Sequence, residues 1–128
     1  MMKEIFFNEV NSLTYGLIPL SQEVPLFRPR IYTVEVPGMD GCYDLTDRMG
    51  ITYQDAQIKL IFESFMPESE VRNTLRQING LRLNLKIMNG KHGECYDGRV
   101  SSCSTKQNNS TVSVEILFEA SARGVTYV

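Results

Sequence analysis

The sequence of 128 residues contains no tryptophan and a single histidine, His92. One histidine leaves little for general acid–base chemistry, which uses that side chain more than any other. Cysteine is also scarce, with only Cys42, Cys95 and Cys103. An odd number at wide spacings is not a disulfide framework, and it fits reduced thiols in a protein made in a cytoplasm. No block of cations is present either: 13 Lys and Arg stand against 15 Asp and Glu, a formal charge of −2. Phosphate neutralisation needs clustered cations, so a basic nucleic-acid-binding module is excluded. No stretch approaches the ~18 uncharged apolar residues of a membrane span. Asn8 and Glu9 interrupt the opening segment early, so no signal peptide is expected. These absences predict a protein with no catalytic residues, no metal, no cofactor and no membrane partner.

The material that is present suits one compact domain over residues 1–128. Hydrophobic residues make up 42% and charged residues 22%, enough apolar content to offset the entropy of ordering the chain. Most of the patterning has a period of two, the signature of strands with one buried face. In Val112 to Phe118, Val112, Val114, Ile116 and Phe118 alternate with Ser113 and Glu115. Leu83, Leu85 and Ile87 repeat the pattern, as do Ile58, Leu60 and Phe62, and Tyr32, Val34 and Val36 within Ile31 to Val36. Glu4 to Asn8 reads as a short opening strand and Cys95 to Lys106 as a longer, polar one at an edge. Pro19, Pro25 and Pro29 argue against a central strand over 18–30, because proline cannot donate to a ladder.

One segment departs from the two-residue period. After Pro67, Val71, Leu75 and Ile78 recur at i, i+4 and i+7, which predicts an amphipathic helix over Glu68 to Ile78. Glu68 and Glu70 in its first turn and Arg72 and Arg76 later complement the helix dipole. Gly80 stands where a left-handed C-terminal residue is wanted. The expected architecture is a mainly antiparallel β-sandwich or open barrel with one helix packed on it.

Each candidate for chemistry has a plainer alternative. His92 and Cys95, with Cys42 or Cys103, make at most one closely spaced ligand pair, where structural zinc uses two. His92 reads as a turn residue between strands. Asp44 with Asp47 and Glu68 with Glu70 read as solvated carboxylates, since no element brings them across a cleft. Pro37-Gly38-Met39-Asp40-Gly41 leaves a strand and enters a polar stretch, not a helix, so it reads as a tight turn and not a phosphate loop.

The order of these signals is more specific than any one of them. A short strand ending in Phe7-Asn8 precedes Ser12-Leu13-Thr14-Tyr15-Gly16-Leu17 and a proline-bearing stretch. A strand then runs into Val36-Pro37-Gly38-Met39-Asp40-Gly41. A later strand feeds the helix, and Cys95-Tyr96-Asp97-Gly98-Arg99-Val100 follows before the last strand. Over nearly its whole length the chain resembles the N-terminal domain of siphophage distal tail proteins (Dit), hub components of long non-contractile tails. Met39 stands where that family often has a basic residue.

The resemblance implies a tail-tube-like β-sandwich with one helix, assembled into a hexameric ring in the virion tail after synthesis in the bacterial cytoplasm. Its implied partners are further copies of itself, the tail tube protein, the tape-measure protein and a tail-tip or fibre-associated protein. DNA would only pass through the lumen, which a mildly acidic chain tolerates. Longer relatives carry a second, often galectin-like domain; ending at Val128, this chain is expected to lack it. A closed ring needs a heterologous interface, one subunit offering a loop to a different patch on the next. The stretch from Pro37 to Asp55 is long for a hairpin connection. Its candidate inter-subunit residues are Pro37, Gly38, Met39, Asp40, Gly41, Tyr43, Leu45, Met49 and Tyr53. The apolar ones among them either meet a neighbour or cover the protein's own core. Two other readings stand beside the ring: a monomeric β-sandwich that binds sugar or peptide, and a small metal-dependent enzyme built on His92, Cys95 and an acidic partner.

Overall fold

A computed structural model describes residues 3–28, 33–35, 42–44 and 54–127. The elements in chain order are β1 (Glu4–Phe7), β2 (Val10–Asn11), a 3-10 turn (Ser12–Tyr15), β3 (Ile18–Glu23), β4 (Thr33–Glu35) and β5 (Cys42–Asp44). Then follow β6 (Ala56–Ser64), α1 (Glu68–Ile78), β7 (Arg82–Asn89), β8 (His92–Gln107) and β9 (Val112–Tyr127). Seven strands form one antiparallel sheet in the order β2-β1-β7-β8-β9-β6-β3, and β4 with β5 forms a separate two-stranded ribbon. The fold is mainly antiparallel β with one helix, as the two-residue periodicity predicts.

The sheet is strongly curved. Four strand spacings separate β1 from β6, about 19 Å across a flat sheet. Yet the rings of Phe7 on β1 and Phe62 on β6 lie 6.1 Å apart, both fully buried. The sheet therefore rolls over on itself into an open barrel whose inner face is the core. Two register shifts in β8 against β9, at Tyr96/Gly98 and Val100/Ser102, let 16-residue strands bend around it. Gly98 lies at the first shift because a Cβ there would run into the Glu119 carbonyl of β9.

The inner face carries the residues expected from alternation: Ile58, Leu60 and Phe62; Leu83, Leu85 and Ile87; Val112, Val114, Ile116 and Phe118. The helix spans the predicted residues and buries Val71, Leu75 and Ile78, packing against β8. Its first turn is held by the Pro67 carbonyl, which accepts from the Glu70 and Val71 amides, and Gly80 beyond its end adopts φ +80°. The 3-10 turn is held by Ser12, whose buried hydroxyl donates to the Leu17 carbonyl at 3.0 Å.

As the prolines lead one to expect, residues 18–23 take no central place: they form β3, the outermost strand, whose register shifts between Pro19 and Ser21. One sequence reading needs correction. His92 is not a turn residue but opens β8 opposite Asn89, leaving a two-residue connection at Gly90-Lys91. The strand read over Ile31 to Val36 is described only from Thr33 to Glu35.

Candidate functional site

The route from β3 to β6 leaves and re-enters the barrel at one point. The Gln54 amide donates to the Arg28 carbonyl at 2.8 Å, tying the two ends of residues 29–53 together. Within that excursion β4 and β5 pair antiparallel, with Thr33 opposite Asp44, Val34 opposite Tyr43 and Glu35 opposite Cys42. The six residues joining them in the chain are Val36-Pro37-Gly38-Met39-Asp40-Gly41. Of the candidate inter-subunit residues, Tyr43 is thus on the ribbon. Pro37, Gly38, Met39, Asp40, Gly41, Leu45, Met49 and Tyr53 lie outside the described residues.

Beside the neck, the segment that follows β3 lies over the end of the barrel. Phe27 packs on Tyr96, their ring centroids 6.4 Å apart, and the Tyr96 hydroxyl donates to the Glu94 carboxylate. An open cleft of about 550 Å³ runs here between Lys3, Leu26, Phe27, His92, Glu94 and Tyr96. Leu26 is 91% exposed, an unusual state for a leucine and one that no sequence periodicity signalled. Leu20 and Val24 are exposed nearby in sequence, on and after the outermost strand.

A second surface lies on the flank of the helix. A groove of about 380 Å³ is lined by Arg72, Leu75, Arg76 and Asn79 from α1 and its end, and by Cys103, Ser104 and Thr105 from β8. Here β8 has lost its β7 neighbour. The β7 ladder ends at Arg82 opposite Arg99, and two further bonds join Gly80 and Leu81 to Val100. From Ser102 to Gln107 only β9 pairs with β8 among the described residues. Burial in this groove pushes the Cys103 thiol up from 9.0 to about 11, which keeps it protonated and a poor nucleophile at neutral pH.

The residues considered for metal binding are not gathered. His92 is exposed at the start of β8 and Cys95 is half-buried three residues on, so strand alternation sends their side chains to opposite faces, with Cys103 further along the strand. Among the described residues no group of three His, Cys, Asp or Glu side chains could hold a metal ion. No helix among the described residues is long and apolar enough to cross a membrane.

The chain has a Dit-like fold. It superimposes on the crystal structure of the Dit protein of SPP1, described as a paradigm of hub adsorption apparatus in Gram-positive infecting phages, with a TM-score of 0.68. The match covers 95% of this chain at 10% sequence identity, and the chain spans about half, 51%, of the SPP1 protein's length. No family model and no curated protein sequence matches the chain. The likeness is one of backbone geometry, with almost every side chain different. The Dit-like elements visible in the sequence fall in unlike places. Tyr96-Asp97-Gly98-Arg99-Val100 is the bent middle of β8, and its glycine is required by contact with β9.

Proposed function

We propose that this chain is a structural component of a phage or prophage tail, a Dit-like hub subunit without catalytic activity. In this reading six copies close into a ring that joins the tail tube to the tail tip, baseplate or fibre. The ring would contact the tail tube protein, the tape-measure protein and a tip-associated protein, with DNA passing through its lumen. The observation that carries the proposal is the Dit-like barrel with a 25-residue excursion tied at a single neck. Such an excursion can reach a neighbour without disturbing the barrel that carries it, as the heterologous interface of a closed ring requires.

The test is mass in solution. Sedimentation at rising concentration should give hexamers or paired hexamers, and a chain that stays monomeric into the millimolar range overturns the proposal. Deleting residues 39–50 should abolish the ring and leave the melting transition of the barrel in place. Full assembly by that deletion would remove the excursion from the interface.

The cleft beside Phe27 and Tyr96 supports a second reading, a monomeric module that binds sugar or peptide on an aromatic wall. Binding to a glycan or peptide array by a strictly monomeric chain, lost in Phe27→Ser with the melting transition of the barrel retained, would favour it over the ring.

A further inference from the structure

Asparagine followed by glycine occurs twice in the chain, at Asn79-Gly80 and at Asn89-Gly90. This pair can modify itself, because glycine has no side chain to keep its amide nitrogen away from the preceding asparagine side chain. Both asparagines and both glycines are exposed, and both glycines have positive φ, +80° at Gly80 and +69° at Gly90. Neither the sequence nor exposure separates the two sites. Backbone hydrogen bonding does.

Asn79-Gly80 is pinned where α1 ends against β8. The Asn79 amide donates to the Leu75 carbonyl at 2.8 Å, and the Gly80 amide donates to the Val100 carbonyl at 3.0 Å. The Gly80 carbonyl accepts from Arg99 Nη1 at 2.8 Å. Asn89-Gly90 instead ends a hairpin. Asn89 opposite His92 closes the β7–β8 ladder, and Gly90-Lys91 is the turn, with positive φ at its first position only, as in a type II′ turn. Among the described residues the Gly90 amide has no hydrogen-bond acceptor and the Asn89 side chain has no partner. Turning the Gly90 nitrogen toward the Asn89 side chain opens only the last pair of the ladder. The same rotation at Gly80 undoes the seam between helix and barrel. Exposed ends of a ladder open far more readily than packed junctions.

We propose that Asn89 is a site of self-modification by deamidation, while the fold protects Asn79. The Gly90 amide nitrogen loses its proton and attacks Cγ of Asn89, forming an N–Cγ bond. The Cγ–Nδ2 bond then breaks, and Nδ2 takes up a proton and leaves as ammonia. Water opens the resulting cyclic imide at either carbonyl, leaving aspartate or isoaspartate at position 89. Nothing is oxidised or reduced, and one water is consumed for each ammonia released. Either product adds a negative charge to the rim of the cleft, which Asn89 shares with Lys3, His92 and Glu94. Isoaspartate also lengthens the main chain by a methylene next to the turn, which removes the register between position 89 and His92. This chemistry is independent of any assembly of the chain.

Peptide mapping of the full chain, incubated folded at mildly alkaline pH, tests the proposal. Mass spectrometry of the peptides carrying each asparagine follows the conversion of amide to acid. Position 89 should convert at least about tenfold faster than position 79, since one site reacts after a local opening and the other only after a larger one. In urea, where no fold holds either site, the two rates should come within about threefold of each other. A folded-state ratio no larger than the ratio in urea overturns the proposal, because the sequence and not the fold would then set the rates. An unmodified position 89 in the folded chain, after a time in which the unfolded chain has fully reacted, overturns it as well.

Discussion

The two halves of β8 are one continuous strand held in different ways. From His92 to Arg99 it is flanked by β7 on one side and by the far end of β9 on the other. Its inward residues there are Tyr96 and Gly98, both buried, and the backbone of β9 approaches so closely that a side chain at Gly98 has no room. From Ser102 to Gln107 it keeps one strand neighbour among the described residues, and its sequence turns to Ser102, Ser104, Lys106 and Gln107, all exposed. The same strand thus serves as a barrel stave and then as an edge. Polarity and a lysine on the second half are how soluble sheets keep such an edge from pairing indiscriminately. What distinguishes a stave from an edge is the number of neighbours, not the strand's own conformation.

The contrast can be broken most sharply at Tyr96. Tyr96→Ala removes a ring buried to 3% and its packing against Phe27, and should cost about 3–4 kcal/mol in urea unfolding. Gly98→Ala should cost about 2–3 kcal/mol, because either the Glu119 carbonyl or the bend in β8 must give way. Ser104→Ala, in the open half, should stay within about 0.5 kcal/mol. A loss at Ser104 matching that at Gly98 would mean that the second half is held as firmly as the first.

The smallest effect concerns Cys103. Its thiol is raised from 9.0 to about 11 by burial, so between those values the unfolded chain gives up the proton while the folded chain keeps it. That stabilising contribution is complete below pH 9 and is lost as pH rises toward 11. Cys103→Ser should flatten the fall of stability across this window. An unchanged slope would show that the groove leaves the thiol open to water.

Elements whose burial is decided locally were legible in the sequence. The helix is the clearest, because Val71, Leu75 and Ile78 mark one face and Pro67 and Gly80 mark its ends. The inward faces of β6, β7 and the first half of β9 follow equally from alternation. Elements that depend on a partner were not. β3 carries Pro19, and only its place at the sheet margin makes it a strand. β9 continues past Phe118 to Tyr127 because β8 folds back beside it, not because residues 120–127 alternate. β5 is three residues long and exists through β4. Most of the candidate inter-subunit residues lie outside the described residues, and the anchorage of the excursion that holds them was not legible. The Arg28–Gln54 hydrogen bond joins two polar residues that no motif connects. The open edge of β8 was foreshadowed only by its polarity, and Arg72 and Arg76 read as ordinary helix-surface charges.

The neck has a consequence for how such a chain can change over time. With residues 28 and 54 already side by side, whatever lies between them is a closed loop hung on a finished scaffold. Lengthening a loop is thermodynamically mild, about 0.6 kcal/mol for each doubling. The excursion can therefore be lengthened, shortened or exchanged between related chains as a cassette. The barrel that carries it would not have to relearn how to fold.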